Sequence, residues 1–508
     1  MAKTSLAGLL FAALLAVGGS ALADDGVVRA RIDTGVLVGR ETDGLDSFKN
    51  VPFAAPPVGA LRWAPPKPAA GWSGERDAGA FGAACPQEIR RDGRPNGGGY
   101  AGPTSEDCLN LNIYAPKGAK GAPVMVWIYG GANIYGANSL PSYDGTAFAR
   151  DGIVLVEINY RLGPLGFFAH PALTKTAGAG EPLANYGLMD QIAGLAWVKR
   201  NIRAFGGDPD NVTVFGESAG GIDILALFAS PKAKGLFNKA IVESGGGWFP
   251  ADTLAKAEAK GVALAQQAGL PADATAAQLR GLPVETLVAT RFNPGPMVDG
   301  QILPQQPEQA FAKGEVVKAP LVIGSNSFEA SLMQGFGIDP KGFMSHVAPP
   351  VKVAYAKDAA DDVTLAHDIF TDGFMGAPAR WLAGHNAERA PTWLYYFSYV
   401  RVARRSQLPG ANHASEIPYV FDSQATIPYY AAEVQDEDRA LAKTMHACWV
   451  AFAKTGAPAC PPAPAWPAYD ASQDQLMEFG QSVGVRQHLR KPLLDAVQAE
   501  HEARQGSR

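Results

Sequence analysis

The feature that most constrains the fold is a serine enclosed by glycines between an apolar run and a helical pattern. The run Val212-Thr213-Val214-Phe215 leads directly into Gly216-Glu217-Ser218-Ala219-Gly220, and a helical pattern continues over residues 222–228. A G-x-S-x-G motif in this setting is typical of a tight strand-to-helix turn that exposes the serine hydroxyl. Glycine is favoured at both flanks because a Cβ there would clash with neighbouring backbone. The pattern predicts Ser218 as a nucleophile.

Short runs of β-forming apolar residues recur along the chain and alternate with longer helical patterns such as residues 186–201. The runs are nearly continuous in apolar residues, which is typical of parallel strands buried on both faces. We therefore predict an α/β fold with a mostly parallel central sheet flanked by helices. The strand candidates are residues 124–129, 153–158, 212–215, 240–242, 321–323 and 393–399.

Segments outside the main sheet complete the predicted architecture. Residues 27–38 are typical of an antiparallel hairpin that precedes the sheet, and residues 340–372 are assigned to a helical cap insertion. No stretch has the composition of a linker between domains. We therefore predict one domain over residues 24–508.

The first residues of the chain have the pattern of a secretory signal peptide. Met1-Ala2-Lys3 supplies a charged start, residues 6–17 are apolar, and Ala21-Leu22-Ala23 is a small-x-small cleavage site. The apolar run is too short to span a bilayer comfortably, and no cysteine follows it to carry a lipid. The pattern predicts a signal peptide over residues 1–23, a secreted or periplasmic protein and no membrane anchor.

Charge and composition narrow the classes of partner. The formal net charge is −5 and 47% of the residues are hydrophobic. A mildly acidic chain is not expected to bind nucleic acid. The 57 glycines and 39 prolines favour a loop-rich enzyme over a helical bundle or a repeat array.

Four cysteines, Cys85, Cys108, Cys448 and Cys460, are expected in an oxidising compartment if the chain is exported. None lies in a pattern with zinc-ligand spacing, so no metal site is predicted. Pairing in sequence order is the simplest arrangement, but four cysteines allow three connectivities and their spacing alone does not choose among them.

Several segments resemble the type-B carboxylesterase family. Residues 205–221, Phe205-Gly206-Gly207-Asp208-Pro209-Asp210-Asn211 through Gly221, are similar to the family's nucleophile signature, and Glu106-Asp107-Cys108-Leu109-Asn110-Leu111-Asn112 is similar to a second signature. Residues 56–63, 159–163 and 185–191 match further family segments. The resemblance implies a single-domain α/β-hydrolase fold and a Cys85–Cys108 disulfide. It implies nothing for Cys448–Cys460, which stays a prediction from proximity.

A serine nucleophile needs a base and an acid that orients the base, in the chain order serine, acid, histidine for this fold. Of the eight histidines, His413 lies in Gly410-Ala411-Asn412-His413, which resembles the family's catalytic-histidine loop. Glu329 occupies the position of the family's acid. Alanine follows both residues where the family usually has glycine. The resemblance implies a Ser218–His413–Glu329 triad.

The segment Tyr129-Gly130-Gly131-Ala132 occupies the position of the family's glycine-rich oxyanion loop. By this resemblance the N–H groups of Gly131, Ala132 and Ala219 are the expected oxyanion donors. Asn133 follows where an aromatic residue is common, and this departure alters the expected pocket near the scissile bond.

Three further positions are assigned by the same resemblance. Ser244 matches a serine that binds the triad acid, and Glu217 and Glu416 match buried acids near the histidine. A purely structural polar role is an equally good interpretation of all three. Asp223 stands where the family often has serine, and the sequence gives no account of it.

The resemblance implies hydrolysis of a small carboxylic ester through an acyl-enzyme, without a metal or organic cofactor. The span between Cys85 and Cys108 lacks tryptophan, the residue with which cholinesterases hold a quaternary ammonium. Choline esters are therefore disfavoured. We predict an arginine-lined entrance that favours anionic or aromatic esters, while solvated arginines without a role are the competing interpretation. The predicted entrance residues are Arg90, Arg91, Arg404 and Arg405.

Two alternatives remain open from the sequence. The same triad would serve hydrolysis of amides, carbamates or bulky natural-product esters. A member of a different class, a non-catalytic cholinesterase-like binding module, would keep the fold without the nucleophile. The presence of Ser218, Glu329 and His413 together disfavours this second alternative.

Overall fold

The computed structural model describes residues 26–178, 180–357 and 359–506, so the predicted signal peptide lies outside the described residues. Thirteen of the strands in the described residues form one large sheet, and two short strands form a separate pair. The strands are β1 (Val27–Ile32), β2 (Gly35–Thr42), β3 (Leu45–Pro52), β4 (Glu75–Asp77), β5 (Asn110–Pro116), β6 (Ala122–Ile128), β7 (Val154–Ile158), β8 (Gly207–Glu217), β9 (Lys239–Glu243), β10 (Asp252–Thr253), β11 (Met297–Val298), β12 (Leu321–Asn326), β13 (Thr392–Phe397), β14 (Gln475–Phe479) and β15 (Val483–Gln487).

The large sheet has the strand order β1-β2-β3-β5-β7-β6-β8-β9-β12-β13-β14-β15, with β4 paired to β2. Every pairing from β7 through β14 is parallel. The pairings from β1 to β7 along this order, and the last pairing, are antiparallel. The predicted mostly parallel sheet is therefore confirmed, as is the hairpin formed by β1 and β2.

The central parallel strands are buried on both faces, because the helices that connect parallel strands cover the sheet. All residues of β7, β9 and β12 are buried, as are the last five residues of β6. Continuous burial of branched apolar side chains is the pattern expected of a sheet with helices on both sides. Trp127 of β6 packs against Phe215 of β8 and Phe421, with ring centroids 4.7 and 5.0 Å away.

Helices and short helical turns fill the connections between the strands. The α-helices are α1 (Thr146–Arg150), α2 (Gly163–Gly166), α3 (Pro171–Thr176), α4 (Tyr186–Asn201), α5 (Ala219–Ala229), α6 (Leu254–Gln267), α7 (Ala276–Arg280), α8 (Val284–Ala289), α9 (Pro307–Lys313), α10 (Ser331–Gly335), α11 (Pro340–Met344), α12 (Pro349–Tyr355), α13 (Asp362–Thr371), α14 (Ala377–Ala387), α15 (Ile417–Val420), α16 (Pro428–Ala431), α17 (Asp436–Thr455) and α18 (Lys491–Gly506). A π-helical turn spans Asp372–Gly376, and 3₁₀ turns span Gly59–Leu61, Pro141–Tyr143, Ile202–Phe205, Pro231–Ala233 and Val402–Arg404.

The region assigned to a cap, residues 340–372, contains the three helices α11, α12 and α13. Phe370 of α13 packs with Ala330 and Met333, which follow β12. The cap is therefore joined by apolar contacts to the segment beyond the carboxyl end of a central strand.

Two disulfides lie outside the sheet, one within a loop region and one between helix α17 and the segment that follows it. Cys85 is bonded to Cys108 and Cys448 to Cys460, closing spans of 23 and 12 residues. No helix in the described part of the chain has the length and apolar character needed to cross a membrane.

The topology brings four connections to one edge of the sheet. The strands β6, β8, β9 and β12 are neighbours and parallel, so their carboxyl ends lie together. Residues 129–133, Ser218, Ser244 and Glu329 follow these strand ends. In open α/β sheets this edge is where binding sites form.

Candidate active site

Ser218 lies between the end of β8 and the start of α5, in a backbone conformation that few residues other than glycine adopt. Its φ is +54° and its ψ is −123°. Such a conformation costs on the order of 1–3 kcal/mol and persists only where neighbouring structure holds it. Two backbone hydrogen bonds do so here: the Ser218 N–H donates to the Glu243 carbonyl at 2.8 Å, and the Ser218 carbonyl accepts from Ile222 N–H at 2.9 Å.

The flanking glycines allow β6 to pass directly beside this turn. A Cβ on Gly220 would lie 2.0 Å from the carbonyl oxygen of Ile128, and one on Gly216 would lie 2.4 Å from the same atom. No side chain fits at either distance. The glycines of the G-x-S-x-G motif are thus required by close approach of the neighbouring strand.

Glu329 and His413 form a hydrogen-bonded pair. Glu329 Oε2 lies 2.6 Å from His413 Nδ1. The other carboxylate oxygen accepts from the Ser244 hydroxyl at 2.6 Å and from the Asn326 N–H at 2.8 Å. These donors satisfy a fully buried carboxylate and fix its direction. A proton held on Nδ1 by Glu329 leaves Nε2 of the imidazole available as a base.

A second carboxylate approaches His413 from the opposite side. Glu217 Oε1 lies 3.0 Å from Nε2, close enough for a charge contact although the angle is not that of a hydrogen bond. Burial disfavours the imidazolium, but the charges of Glu217 and Glu329 outweigh burial and hold the pKa of His413 well above its usual range. The resting histidine is therefore biased toward its protonated form.

Two further buried glutamates complete the acidic surroundings. Burial raises the pKa of Glu243 to about 8, and the Glu243 carboxyl accepts from the Trp449 indole N–H at 2.7 Å. Burial and the neighbouring Glu217 hold the pKa of Glu416 well above its ordinary value, and Glu416 is hydrogen-bonded to the Asn326 amide. Burial thus favours the neutral form of both carboxyls, which limits the negative charge around the histidine.

The loop that follows β6 presents unpaired N–H groups near Ser218. In the described chain, the N–H groups of Gly131, Ala132 and Ala219 have no protein acceptor. Ala132 and Ala219 line the same cavity as Ser218. Gly131 does not line the cavity but directly precedes Ala132 in the chain. Gly131 has a φ of +105°, and a Cβ there would lie 2.5 Å from the Tyr135 carbonyl. Free donors beside a nucleophile are what an oxyanion requires.

A cavity of about 750 Å³ opens from Ser218. Its wall is mainly apolar, and its only charged members among the described residues are Asp252, Lys256 and Lys260 at one side. Lys256 Nζ lies 2.8 Å from Asp252 Oδ1, and Lys260 also contacts this carboxylate. The apolar lining includes Ile222, Phe249, Phe292, Met297, Leu332, Phe336, Ile338 and Phe374.

The structure places the predicted entrance arginines outside the wall of the Ser218 cavity. Among the described residues that line the Ser218 cavity there is no arginine. Instead, Arg90 binds Asp92, Arg404 binds Glu433 at 2.8 Å and Arg405 binds Glu437. These ion pairs satisfy the guanidinium groups on the protein itself. Arg91 also lies outside the cavity wall, and Arg404 instead lines a separate cavity of about 320 Å³ with Asn412.

The remaining sequence-derived positions come together at one place. The contacts described above link Glu217, Ser244, Glu329, His413 and Glu416. Ser218 directly follows Glu217 in the chain. Sequence reasoning did not find Asn326, which bridges Glu329 and Glu416 through its backbone and side chain. It also did not find Lys256 and Lys260, because nothing in a surface helix pattern indicates which lysines face a cavity. Among the described residues no group of His, Cys, Asp or Glu is arranged to hold a metal ion.

Two overlapping segments of the chain, residues 25–357 and 345–497, match the model of the carboxylesterase family. The chain belongs to this family. It is 37% identical over 497 residues to fumonisin B1 esterase of Sphingopyxis macrogoltabida, an alignment that covers 92% of this chain and 88% of the relative. It is also 37% identical to para-nitrobenzyl esterase of Bacillus subtilis, with 86% and 91% covered. This carboxylesterase is a hydrolase of carboxylic esters. The assignment argues against the alternative of a non-catalytic binding module.

Solved structures agree with this assignment. A carboxylesterase of Geobacillus stearothermophilus superposes on the chain with a TM-score of 0.82 at 32% identity, covering 92% of this chain and 99% of the other. A PNB esterase superposes with a TM-score of 0.79 at the same identity and the same coverage. The predicted α/β-hydrolase fold is confirmed for this carboxylesterase.

Replacing Glu217 by glutamine is expected to move the pH dependence of the carboxylesterase. Glu217 raises the pKa of His413, and a base must be neutral to act, so kcat/KM of the parent enzyme should still rise with pH above neutrality. In Glu217→Gln the pKa of His413 falls and the acidic limb of the kcat/KM profile shifts to lower pH. The matched control is Glu243→Gln, which removes a buried carboxyl that is largely uncharged at about pH 7, because burial raises its pKa to about 8. Identical profiles for Glu217→Gln and the parent enzyme would contradict this account.

Proposed function

We propose that this carboxylesterase works through a Ser218–His413–Glu329 triad and a covalent acyl-enzyme. The observations that carry the proposal are the hydrogen-bonded series Ser244–Glu329–His413 and the strained turn of Ser218. Ser218 directly follows Glu217, whose carboxylate lies 3.0 Å from Nε2 of His413. Ser218 Oγ attacks the ester carbonyl carbon while Nε2 of His413 accepts the hydroxyl proton. Glu329 keeps the imidazole oriented and stabilises the imidazolium that forms.

The tetrahedral intermediate carries negative charge on the former carbonyl oxygen. The N–H groups of Gly131, Ala132 and Ala219 are proposed to bind this oxygen, because they are unpaired and border the nucleophile. The intermediate then collapses, its carbon–oxygen bond to the alcohol breaks, and His413 returns the proton to the leaving alcohol. Water, deprotonated by His413, releases the acid from Ser218 in the same way.

The proposed substrates are esters with a bulky apolar or aromatic group. Support comes from the size of the cavity and from the phenylalanines in its wall. Two relatives are named for fumonisin B1 and for a para-nitrobenzyl ester, and the latter group is aromatic. An anionic group on the substrate is proposed to lie at Lys256 and Lys260 rather than at an arginine, because these lysines line the cavity. The two lysines share the single carboxylate of Asp252, so their positive charge exceeds its negative charge.

We also propose that residues 1–23 form a signal peptide and that residues 24–508 form one catalytic domain that acts outside the cytoplasm. Two disulfides are consistent with an oxidising compartment.

Loss of the Ser218 hydroxyl is expected to abolish most of the hydrolysis of short p-nitrophenyl esters. Ser218→Ala and Glu329→Gln should each lower kcat by about 10⁴-fold or more, because triad members act as a unit. The matched control is Ser230→Ala, which removes a buried serine at the opposite end of α5. Activity of Ser218→Ala close to that of the control would refute the proposed mechanism.

The role of the cavity lysines is tested by comparing an ester that bears a carboxylate with a neutral ester of equal size. In Lys256→Met/Lys260→Met, KM for the anionic ester should rise roughly five- to tenfold at low salt, since partly exposed charge pairs contribute little each. Salt should weaken the difference, and the neutral ester should be unaffected. Arg404→Ala/Arg405→Ala is the matched charge control and should leave both KM values unchanged. A larger rise in KM for the anionic ester in the arginine variant than in the lysine variant would contradict this proposal and support the arginine-lined entrance.

A further inference from the structure

Asp223 is a fully buried acid that the proposed mechanism does not use. It lies on α5, five residues after Ser218, and none of its side chain is exposed. Its hydrogen-bond partners are two amides and no cation: Gln191 Nε2 donates at 2.6 Å and Asn133 Nδ2 donates at 3.3 Å. Burial raises the pKa of Asp223 to about 7. Burying an acid without a cation costs free energy of folding, which an alanine or leucine at the same position would avoid. We therefore expect Asp223 to have a function.

Asn133 connects this acid to the loop with the unpaired N–H groups. Ala132 and Asn133 both have positive φ values, +55° and +56°. Two consecutive residues other than glycine in this conformation do not hold it unaided. The loop therefore depends on contacts that fix Asn133.

Those contacts reach Asn133 from three elements. Its backbone carbonyl accepts from the Gly163 N–H at 2.6 Å. Its side-chain carbonyl lies 3.2 Å from the Tyr160 hydroxyl, whose nearer acceptor is the Tyr129 carbonyl at 2.7 Å. Its side-chain amide binds Asp223. Only the last contact ties the loop to α5, the helix whose first residue is Ala219.

We propose that Asp223 is a positioning residue that sets the oxyanion loop relative to α5 through Asn133. The helix then fixes both sides of the oxyanion site. It carries the Ala219 N–H directly, and it holds the Gly131 and Ala132 N–H groups through the Asp223–Asn133 hydrogen bond. The inference rests on the proposed function, because it concerns the same oxyanion donors. It also accounts for two departures from the family together, since Asn133 and Asp223 contact each other.

Loss of the Asp223–Asn133 contact is expected to weaken binding of the transition state without weakening binding of the substrate. A substrate in its ground state gains little from the oxyanion donors, whereas the tetrahedral intermediate depends on them. Asp223→Ala removes the anchor of Asn133 and allows the loop to relax. We expect kcat to fall by about 10²-fold with KM changed by less than twofold.

Asp223→Asn is the conservative variant that should rescue activity. Its side-chain oxygen can still accept from Asn133, and its new amide group can donate to Gln191, whose Oε1 is buried and lacks a partner in the described structure. A flip of the Gln191 amide makes that contact. We expect kcat of Asp223→Asn within about fivefold of the parent enzyme, far above that of Asp223→Ala.

The experiment measures kcat, KM, melting temperature and the affinity of an aryl boronic acid, which forms a tetrahedral adduct with the serine. The variants are Asp223→Ala, Asp223→Asn, Asn133→Ala and the double variant Asp223→Ala/Asn133→Ala. We expect boronic acid affinity to fall in parallel with kcat. The double variant should lose no more than the worse single variant, because both residues act through one contact.

Two results would overturn the proposal. One is a lower melting temperature in Asp223→Ala with parent-like kcat and boronic acid affinity below that temperature, which indicates a structural role alone. The other is a double variant whose losses multiply, which indicates that Asp223 does not act through Asn133. Failure of the proposed function is separate, because it would appear as activity of the parent enzyme that does not depend on Ser218.

Discussion

The site depends on the close approach of the Ser218 turn to the carboxyl end of β6. The Ile128 carbonyl occupies the space that a Cβ on Gly216 or Gly220 would need, so the turn and the strand can meet only through glycine. This contact brings Ser218, the proposed nucleophile that follows β8, beside the loop that leaves β6. It also explains why a costly φ at Ser218 persists, since the surrounding backbone leaves no space for a relaxed turn.

The electrostatics of the site follow from one imidazole placed among four glutamates. Two of them, Glu243 and Glu416, have pKa values raised by burial, which favours their neutral forms. The other two, Glu217 and Glu329, lie at the two ring nitrogens of His413 and raise its pKa. A base of raised pKa holds its proton firmly once it has accepted it. That property favours attack by Ser218 at the expense of the fraction of neutral histidine in the resting enzyme.

The sequence predicted the parts of this account that depend on local pattern. The buried strands, the helix over residues 186–201 and the strand–turn–helix around Ser218 have continuous apolar or helical patterns that tertiary contacts do not override. Placing Glu329 beside His413 needed a family resemblance, because 84 residues separate them along the chain. The entrance could not be predicted, because a run of arginines looks the same whether it faces a cavity or pairs with Asp92, Glu433 and Glu437. The contact of Asn133 with Asp223 joins a loop to helix α5 across 90 residues of sequence. Neither residue alone indicates that the two side chains meet.

The most direct test of the central claim is to react the purified protein with a fluorophosphonate and to locate the label by mass spectrometry of its peptides. The account predicts one equivalent of label per chain, carried on Ser218, and no labelling of Ser218 in His413→Gln because the hydroxyl then lacks its base. Stoichiometric label on another serine, or an unlabelled Ser218 in the active parent enzyme, would contradict it.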